Sequence, residues 1–231
     1  MQTKIIYEDA HVLVCHKPSG LATQSGHVGQ ADMVSELKRY LSEKKEGRKE
    51  QVPYLGVIHR LDQPVEGLLV FAKTKAAAAK LTAQLSKGSL NKQYLALICG
   101  KPCVKVDEIV DYLGKDGNMA RVLEQGSPGA KRAVLQYEMV REITTKSAGT
   151  FSLLDVHIET GRFHQIRIQL AHAGMPIVGD MKYGGEQAMA SGRAFGISHV
   201  ALYAYRIEFE HPQSGEKLTF GIEPDDLSKR F

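Results

Sequence analysis

LGVIHRLDQPVEGLLVFA, residues 55–72, decides how the chain is read. Two apolar runs, Leu55 to Ile58 and Gly67 to Ala72, have the composition of buried strands, and Pro64 and Gly67 shape the polar segment between them. Asp62 stands in that segment. A charged side chain is rarely tolerated where two core strands meet unless it is paired or in use. Loops held on a rigid scaffold are also where catalytic groups concentrate. Asp62 is therefore the first candidate catalytic residue.

Outward from this centre, Lys4 to Lys17 reads as two short strands about the turn Glu8-Asp9-Ala10, ending at Lys17-Pro18-Ser19-Gly20. Asp32 is an N-cap for a helix whose Met33, Leu37, Tyr40 and Leu41 share a face. The Lys/Glu-rich stretch up to Gln51 reads as a surface loop or frayed helix end. Thr74 caps a helix over about Lys75 to Leu85, with Gly88 as its stop signal. Tyr94 to Gly100 is a strand, and Val104 to Leu123 holds strand segments broken by Gly114-Lys115-Asp116-Gly117. Ala133 to Val140 and Phe151 to Ile158 form a hairpin-like pair. Phe163 to Ala173 is helical in period, and Gly174 and Pro176 mark its end. Ala201 to Glu210 and Leu218 to Ile222 are closing strands. With no internal repeat or low-complexity linker, the expectation is one α+β domain over residues 1–231, built on a large, mostly antiparallel sheet.

The chain has 231 residues, of which 43% are hydrophobic, enough for a substantial core. No apolar run approaches the roughly 20 residues that span a bilayer, and no apolar signal segment opens the chain, so the cytoplasm is the expected compartment and no membrane partner is expected. The three cysteines, Cys15, Cys99 and Cys103, make neither a disulfide framework nor a paired metal motif. Net charge is only +4, but its distribution is uneven. From Lys73 to Val106 there is no acidic residue against seven lysines, among them Lys73, Lys80 and Lys92. Such a stretch favours a polyanion partner.

A second unusual segment is Glu159-Thr160-Gly161-Arg162-Phe163-His164-Gln165-Ile166-Arg167. The start of a helix carries partial positive charge and favours acidic side chains. Arg162, His164 and Arg167 are of the opposite sign there, which makes sense if an anion binds. Solvent-exposed arginines tolerated at a small cost are the alternative. An arginine beside Asp62 would keep a buried carboxylate ionised, although sequence separation does not show that Asp62 and Arg167 meet. Tyr94 is a strand tyrosine that packs in a core or, next to a catalytic carboxylate, offers a flat surface to a base. There is no phosphate loop and no strand–GxGxxG–helix unit, and His59, His164 and His172 are too dispersed for a metal triad. The chemistry is expected to run on side chains alone, with no metal and no organic cofactor.

Four segments together resemble the RluA-like RNA pseudouridine synthases. HRLDQPVEGLLVFAKT (His59 to Thr74) resembles the catalytic-aspartate motif of that family, and NKQYLALICG (Asn91 to Gly100) its K-x-Y-x-A strand. GRFHQIRIQLAHAGMPIVGDMKYG (Gly161 to Gly184) resembles its third motif, and VLVCHKPSGL (Val12 to Leu21) its first strand and Lys-Pro-x-Gly turn. The resemblance implies a mixed, largely antiparallel sheet flanked by helices, with a central active-site cleft. It makes Asp62 the catalytic carboxylate, Tyr94 the aromatic that packs on the target base and Arg167 the cation that pairs with Asp62. Arg60 would help hold RNA from which the uridine is flipped out. His59, Arg162, His164, Lys73, Lys80 and Lys92 are the further candidates for RNA contact.

One departure is visible. Members of the family commonly carry Thr-Ser before the glycine that follows the aspartate, and this chain has Val65-Glu66-Gly67. The expected partner is a structured RNA, ribosomal or transfer, and a monomer is the default. The rival reading is a non-catalytic RNA-binding protein or RNA chaperone on the same scaffold.

Overall fold

The computed structural model describes residues 1–26, 29–44, 52–145 and 149–222. The chain forms two compact units, one comprising Met1–Lys92 and the segment from Ala204, the other Gln93–Tyr203. Among the described residues there are eleven strands and four helices.

In the first unit, β1 (Lys4–Glu8) pairs antiparallel with β2 (Val12–Lys17), and β2 pairs antiparallel with β4 (Glu66–Ala72). The two-residue β3 (Gly56–Val57) lies on β4. Every residue of β4 is buried, as its unbroken apolar run predicts. Helix α1 (Met33–Glu43) begins where Asp32 accepts the Ser35 backbone N–H at 2.7 Å, and its apolar stripe buries Met33, Leu37 and Leu41. Helix α2 (Lys75–Lys87) is capped by Thr74, which accepts from Ala77 N, and closed by Gly88 in the left-handed region. Both caps are the residues the sequence singles out. Ala77 and Leu81 of α2 pack on Val12, Val14, Leu68 and Val70, together with Ile207 and Phe209. The last two come from β10 (Leu202–Glu210), which pairs with β11 (Lys217–Gly221). The Lys/Glu-rich stretch lies largely at 45–51, outside the described residues.

Gly67 shows why β4 carries no side chain at that point. Its φ is +139°, and a Cβ there would lie 2.4 Å from the Ala204 carbonyl oxygen. Only glycine permits both the conformation and the approach of the two backbones.

In the second unit the strand order is β5–β9–β8–β6–β7, all antiparallel. These are β5 (Asn91–Cys99, with Asn91 and Lys92 in the first unit), β6 (Val106–Asp116), β7 (Met119–Leu123), β8 (Lys131–Thr145) and β9 (Gly149–Ile158). The break between β6 and β7 falls at residues 117–118, later than the run from Gly114 to Gly117 alone suggests. Helix α3 (Gln165–His172) lies against β6, β7 and β8, and its buried Gln169 donates to the Ile109 carbonyl and to Asp111. Helix α4 (Gly185–Ala194) has no counterpart in the sequence reading.

Sequence reasoning starts the third helix at Phe163; the structure starts it at Gln165. His164, at φ 53°, is the one non-glycine residue with positive φ among those described, and that conformation does not continue a helix. The Gln165 side chain fixes the preceding turn. It accepts from Thr160 Oγ1 and Arg162 N, and donates to the Val134 carbonyl. Arg162 and His164 therefore precede the helix, and only Arg167 lies within it.

Candidate active site

The loop carrying Asp62 is tied down by the segment that follows β2. The Leu61 carbonyl accepts from Thr23 Oγ1 at 3.0 Å, the Gln63 carbonyl from Gly20 N at 2.9 Å, and the Pro64 carbonyl from Ser19 Oγ at 2.8 Å. Lys17 completes the clamp. Its fully buried ammonium donates to the carbonyls of Pro18, Leu21 and Gln63 at 3.0, 2.6 and 2.9 Å, one acceptor for each of its three protons. Burial pushes its pKa down to about 8, against the pull of the Asp62 and Glu66 carboxylates. Asp62 itself is half-buried and Arg60 is exposed. A carboxylate is thus held in a fixed loop beside a buried cation, and backbone carbonyls accept the bonds that tie the loop down.

Glu66, in place of the family's usual hydroxyl, is buried and lies 3.1 Å from His16 Nε2. The two come from the paired strands β2 and β4, where His16 faces Leu68 in the ladder. A carboxylate at this point is accommodated because an imidazole faces it.

His59 is half-buried. Its Nε2 accepts weakly from Val70 N at 3.4 Å, and its Nδ1 has no partner among the described residues. Burial, and secondly the Lys92 ammonium, push its pKa down to about 3. An unfolded histidine titrates near about 6.5. Below that pH the unfolded chain holds a proton that folded His59 refuses, so stability falls as pH falls. A full one-proton difference corresponds to about 1.4 kcal/mol per pH unit, hence a loss of up to about 2 kcal/mol on going from about pH 6.5 to about pH 5. Urea unfolding at the two pH values is expected to show this loss and His59→Gln to remove it. An unchanged slope in the variant would assign the loss elsewhere.

The candidate lysines are less available than the sequence implies. Lys73 Nζ pairs with Glu8 at 2.8 Å and also meets the Asp9 carbonyl. Burial pushes the Glu8 carboxyl up, but hydrogen bonds from Lys44, Lys73 and Tyr40 outweigh it and hold it at about 2. Lys80 Nζ donates to the Pro212 carbonyl at 2.7 Å, and burial lowers the pKa of Lys92. A stretch without acids in sequence is not one without acids in space: β1 supplies Glu8.

In the second unit, Tyr94 is buried on β5 opposite Val156. Arg167 is buried and bidentate on an equally buried carboxylate, Asp180, with Nε to Oδ2 at 2.8 Å and a terminal nitrogen to Oδ1 at 2.7 Å. Asp180 Oδ1 also accepts from the backbone N–H groups of Lys182 and Tyr183. The Tyr183 ring lies 5.2 Å from the Arg167 guanidinium carbon. The Tyr183 hydroxyl accepts from Ala120 N at 2.7 Å and hydrogen-bonds with His164 Nδ1 at 2.6 Å. The structure thus gathers His164 and Arg167 about Tyr183, while His59, Arg60, Asp62, Lys73, Lys80 and Lys92 lie in the first unit. Sequence reasoning missed Asp180, Tyr183 and Lys17 as individuals. The only signal for the first two was their place near the end of the Gly161–Gly184 motif.

The model for the RNA pseudouridylate synthase family matches residues 11–172, and the chain belongs to that family: it is an RNA-modifying isomerase. Within the family it stands with the RluA type. It is 30% identical to the ribosomal large subunit pseudouridine synthase C of Haemophilus influenzae over 99% of this chain, and 34% identical to the ribosomal large subunit pseudouridine synthase D of Xanthomonas campestris over 97%. In each case it spans 67% of the relative's length. The solved structure of human RNA Pseudouridylate Synthase Domain Containing 4 superposes with a TM-score of 0.75 at 20% identity, covering 98% of this chain and 91% of that one, which shows a shared fold. Among the described residues no helix is long and apolar enough to cross a membrane, and no cluster of three or more His, Cys, Asp or Glu side chains is placed to hold a metal.

Proposed function

We propose that the chain isomerises a specific uridine of structured RNA to pseudouridine, with Asp62 as the catalytic carboxylate and large-subunit ribosomal RNA as the first substrate to examine. The observation that carries the reading is the Asp62 loop, held by the carbonyls of Leu61, Gln63 and Pro64 and by the buried ammonium of Lys17. A catalytic group needs this kind of fixed placement. The names of the Haemophilus and Xanthomonas relatives support ribosomal RNA; transfer RNA is the other structured candidate.

The reaction breaks the bond between uracil N1 and ribose C1′ and forms one between C5 and C1′. The proton leaves C5 and N1 gains one, so nothing is oxidised or reduced and no cofactor is required. Asp62 starts bond cleavage as nucleophile or base. Tyr94 supplies the aromatic face that holds the base, and its hydroxyl is the candidate acceptor of the C5 proton. Arg167 is the cation that serves the carboxylate. Arg60, Arg162 and His164 hold the RNA while the uridine is out of its stack, at a cost of a few kcal/mol. His59, Lys73, Lys80 and Lys92 are the further candidates for RNA contact, Lys73 and Lys80 while also bonded within the protein. The enzyme acts in the cytoplasm as a monomer, with both units forming one catalytic domain.

Mapping pseudouridines in ribosomal and transfer RNA from cells with and without the gene tests this directly. A site lost on deletion, restored by wild type and not by Asp62→Asn, is the expected result. An identical map in both strains would contradict it.

A further inference from the structure

Phe163 is an exposed aromatic in a segment otherwise made of polar and buried groups. It is 39% exposed and stacks on the His164 ring with centroids 3.7 Å apart and planes at 24°. The ring beneath it is not mobile: His164 is held at φ 53° and its Nδ1 is engaged by the Tyr183 hydroxyl. The Lys115 ammonium, from β6, lies over the Phe163 ring, 5.0 Å from its centroid, where a cation–π contact holds it. Arg162, one residue earlier, is exposed, and its Nε is fixed by the Arg132 carbonyl at 3.0 Å. Lys182 is exposed and its Nζ donates to the Asn118 carbonyl in the β6–β7 turn at 2.8 Å. Asp116, next to Lys115 in the chain, pairs with Arg121 at 2.6 Å.

A fixed, exposed aromatic surrounded by cations of one sign is the composition of single-strand nucleic-acid platforms, in which a base stacks on the ring and phosphates meet the cations. Solvated lysines alone do not explain an apolar ring kept at the surface in a strained turn. We propose that Phe163, with Lys115, Arg162 and Lys182, forms a docking surface for an unpaired stretch of the RNA substrate. One base stacks on the Phe163 face away from His164, taking the place of the Lys115 ammonium, which swings to an adjoining phosphate as Arg162 and Lys182 meet others. The surface rests on the activity proposed above, because the same turn carries His164 and, through Tyr183 and Asp180, adjoins Arg167. RNA bound there bears on the residues assigned to the reaction.

The test uses the full chain and in vitro transcribed large-subunit ribosomal RNA as the probe, with filter binding across a series of KCl concentrations. Lys115→Glu with Lys182→Glu is expected to lower the slope of log affinity against log salt by about two, one for each phosphate that is no longer neutralised. Phe163→Ala is expected to weaken binding about 5- to 100-fold at every salt with the slope unchanged, and Phe163→Trp to keep it. Unchanged affinity and slope in variants whose circular dichroism matches wild type would overturn the surface. Should Phe163→Ala fail to fold, the charge pair and Phe163→Trp carry the test, because the first alters only exposed groups and the second keeps the ring. Tritium release from the same RNA separates the two claims. Wild-type turnover with variants of unchanged KM sinks the surface and leaves the activity standing. Weakened variants around a wild type that binds but never turns over sink the activity and leave the surface. A wild type that does not retain RNA overturns both.

Discussion

Asp62→Asn is expected to slow pseudouridine formation by ~10^4 or more while RNA binding stays within a few-fold of wild type. Both halves follow from how the loop is built. Its shape is set by bonds that the carbonyls of Leu61, Gln63 and Pro64 accept, one of them from Lys17. The amide therefore stands where the carboxylate stood but has neither its charge nor its nucleophilicity. Removing one negative charge near Lys17 is itself a perturbation, since Asp62 and Glu66 both favour the charged lysine. Glu66→Gln is the matching control, for it removes a charge from the same surroundings and leaves the carboxylate at 62. It is expected to keep most of the turnover. Single-turnover tritium release beside filter binding reads all three proteins, and substantial residual turnover in Asp62→Asn would remove the carboxylate from its assigned role. A chain acting only as an RNA chaperone would tolerate the change.

The second large effect is on stability. Asp180→Leu is expected to cost about 3–5 kcal/mol, read as a shift of the urea midpoint, because it takes the bidentate Asp180 carboxylate away from a buried guanidinium. Arg167→Leu is expected to cost a similar amount by stranding Asp180. The double variant Arg167→Leu/Asp180→Leu is expected to recover part of the loss, since neither member of the pair is left buried without the other. Recovery is incomplete because the Lys182 and Tyr183 N–H groups still lose their acceptor. Turnover is expected to stay low in all three. A double variant no more stable than the worse single one would show that the pair contributes through those backbone bonds rather than through its charges.

Signals that the sequence carried locally were readable. Thr74 and Gly88 mark the ends of α2 because capping is a short-range matter, settled within a few residues. Strands β4, β8 and β9 follow from unbroken or alternating apolar runs. Helix α4 was not legible: it buries Ala188, Ser191 and Gly192, and packing by small residues leaves no apolar period. The start of α3 was misplaced because the Gln165 side chain and the left-handed His164 override a helical pattern. Partnerships across the chain were the least legible. Lys17 looked like part of a turn and is the buried ammonium under the Asp62 loop. Asp180, 13 residues from Arg167 and bidentate on its guanidinium, was not foreseen as a partner. Lys73 opens a stretch without acids in sequence, and Glu8 reaches it from β1.

The most direct measurement incubates the purified chain with transcribed ribosomal RNA tritiated at uridine carbon 5, in buffer containing EDTA. Tritium released in step with the appearance of pseudouridine is the predicted result. No release and no pseudouridine from ribosomal or transfer RNA, or turnover that begins only when a metal is added, would contradict a uridine isomerase that works on side chains alone.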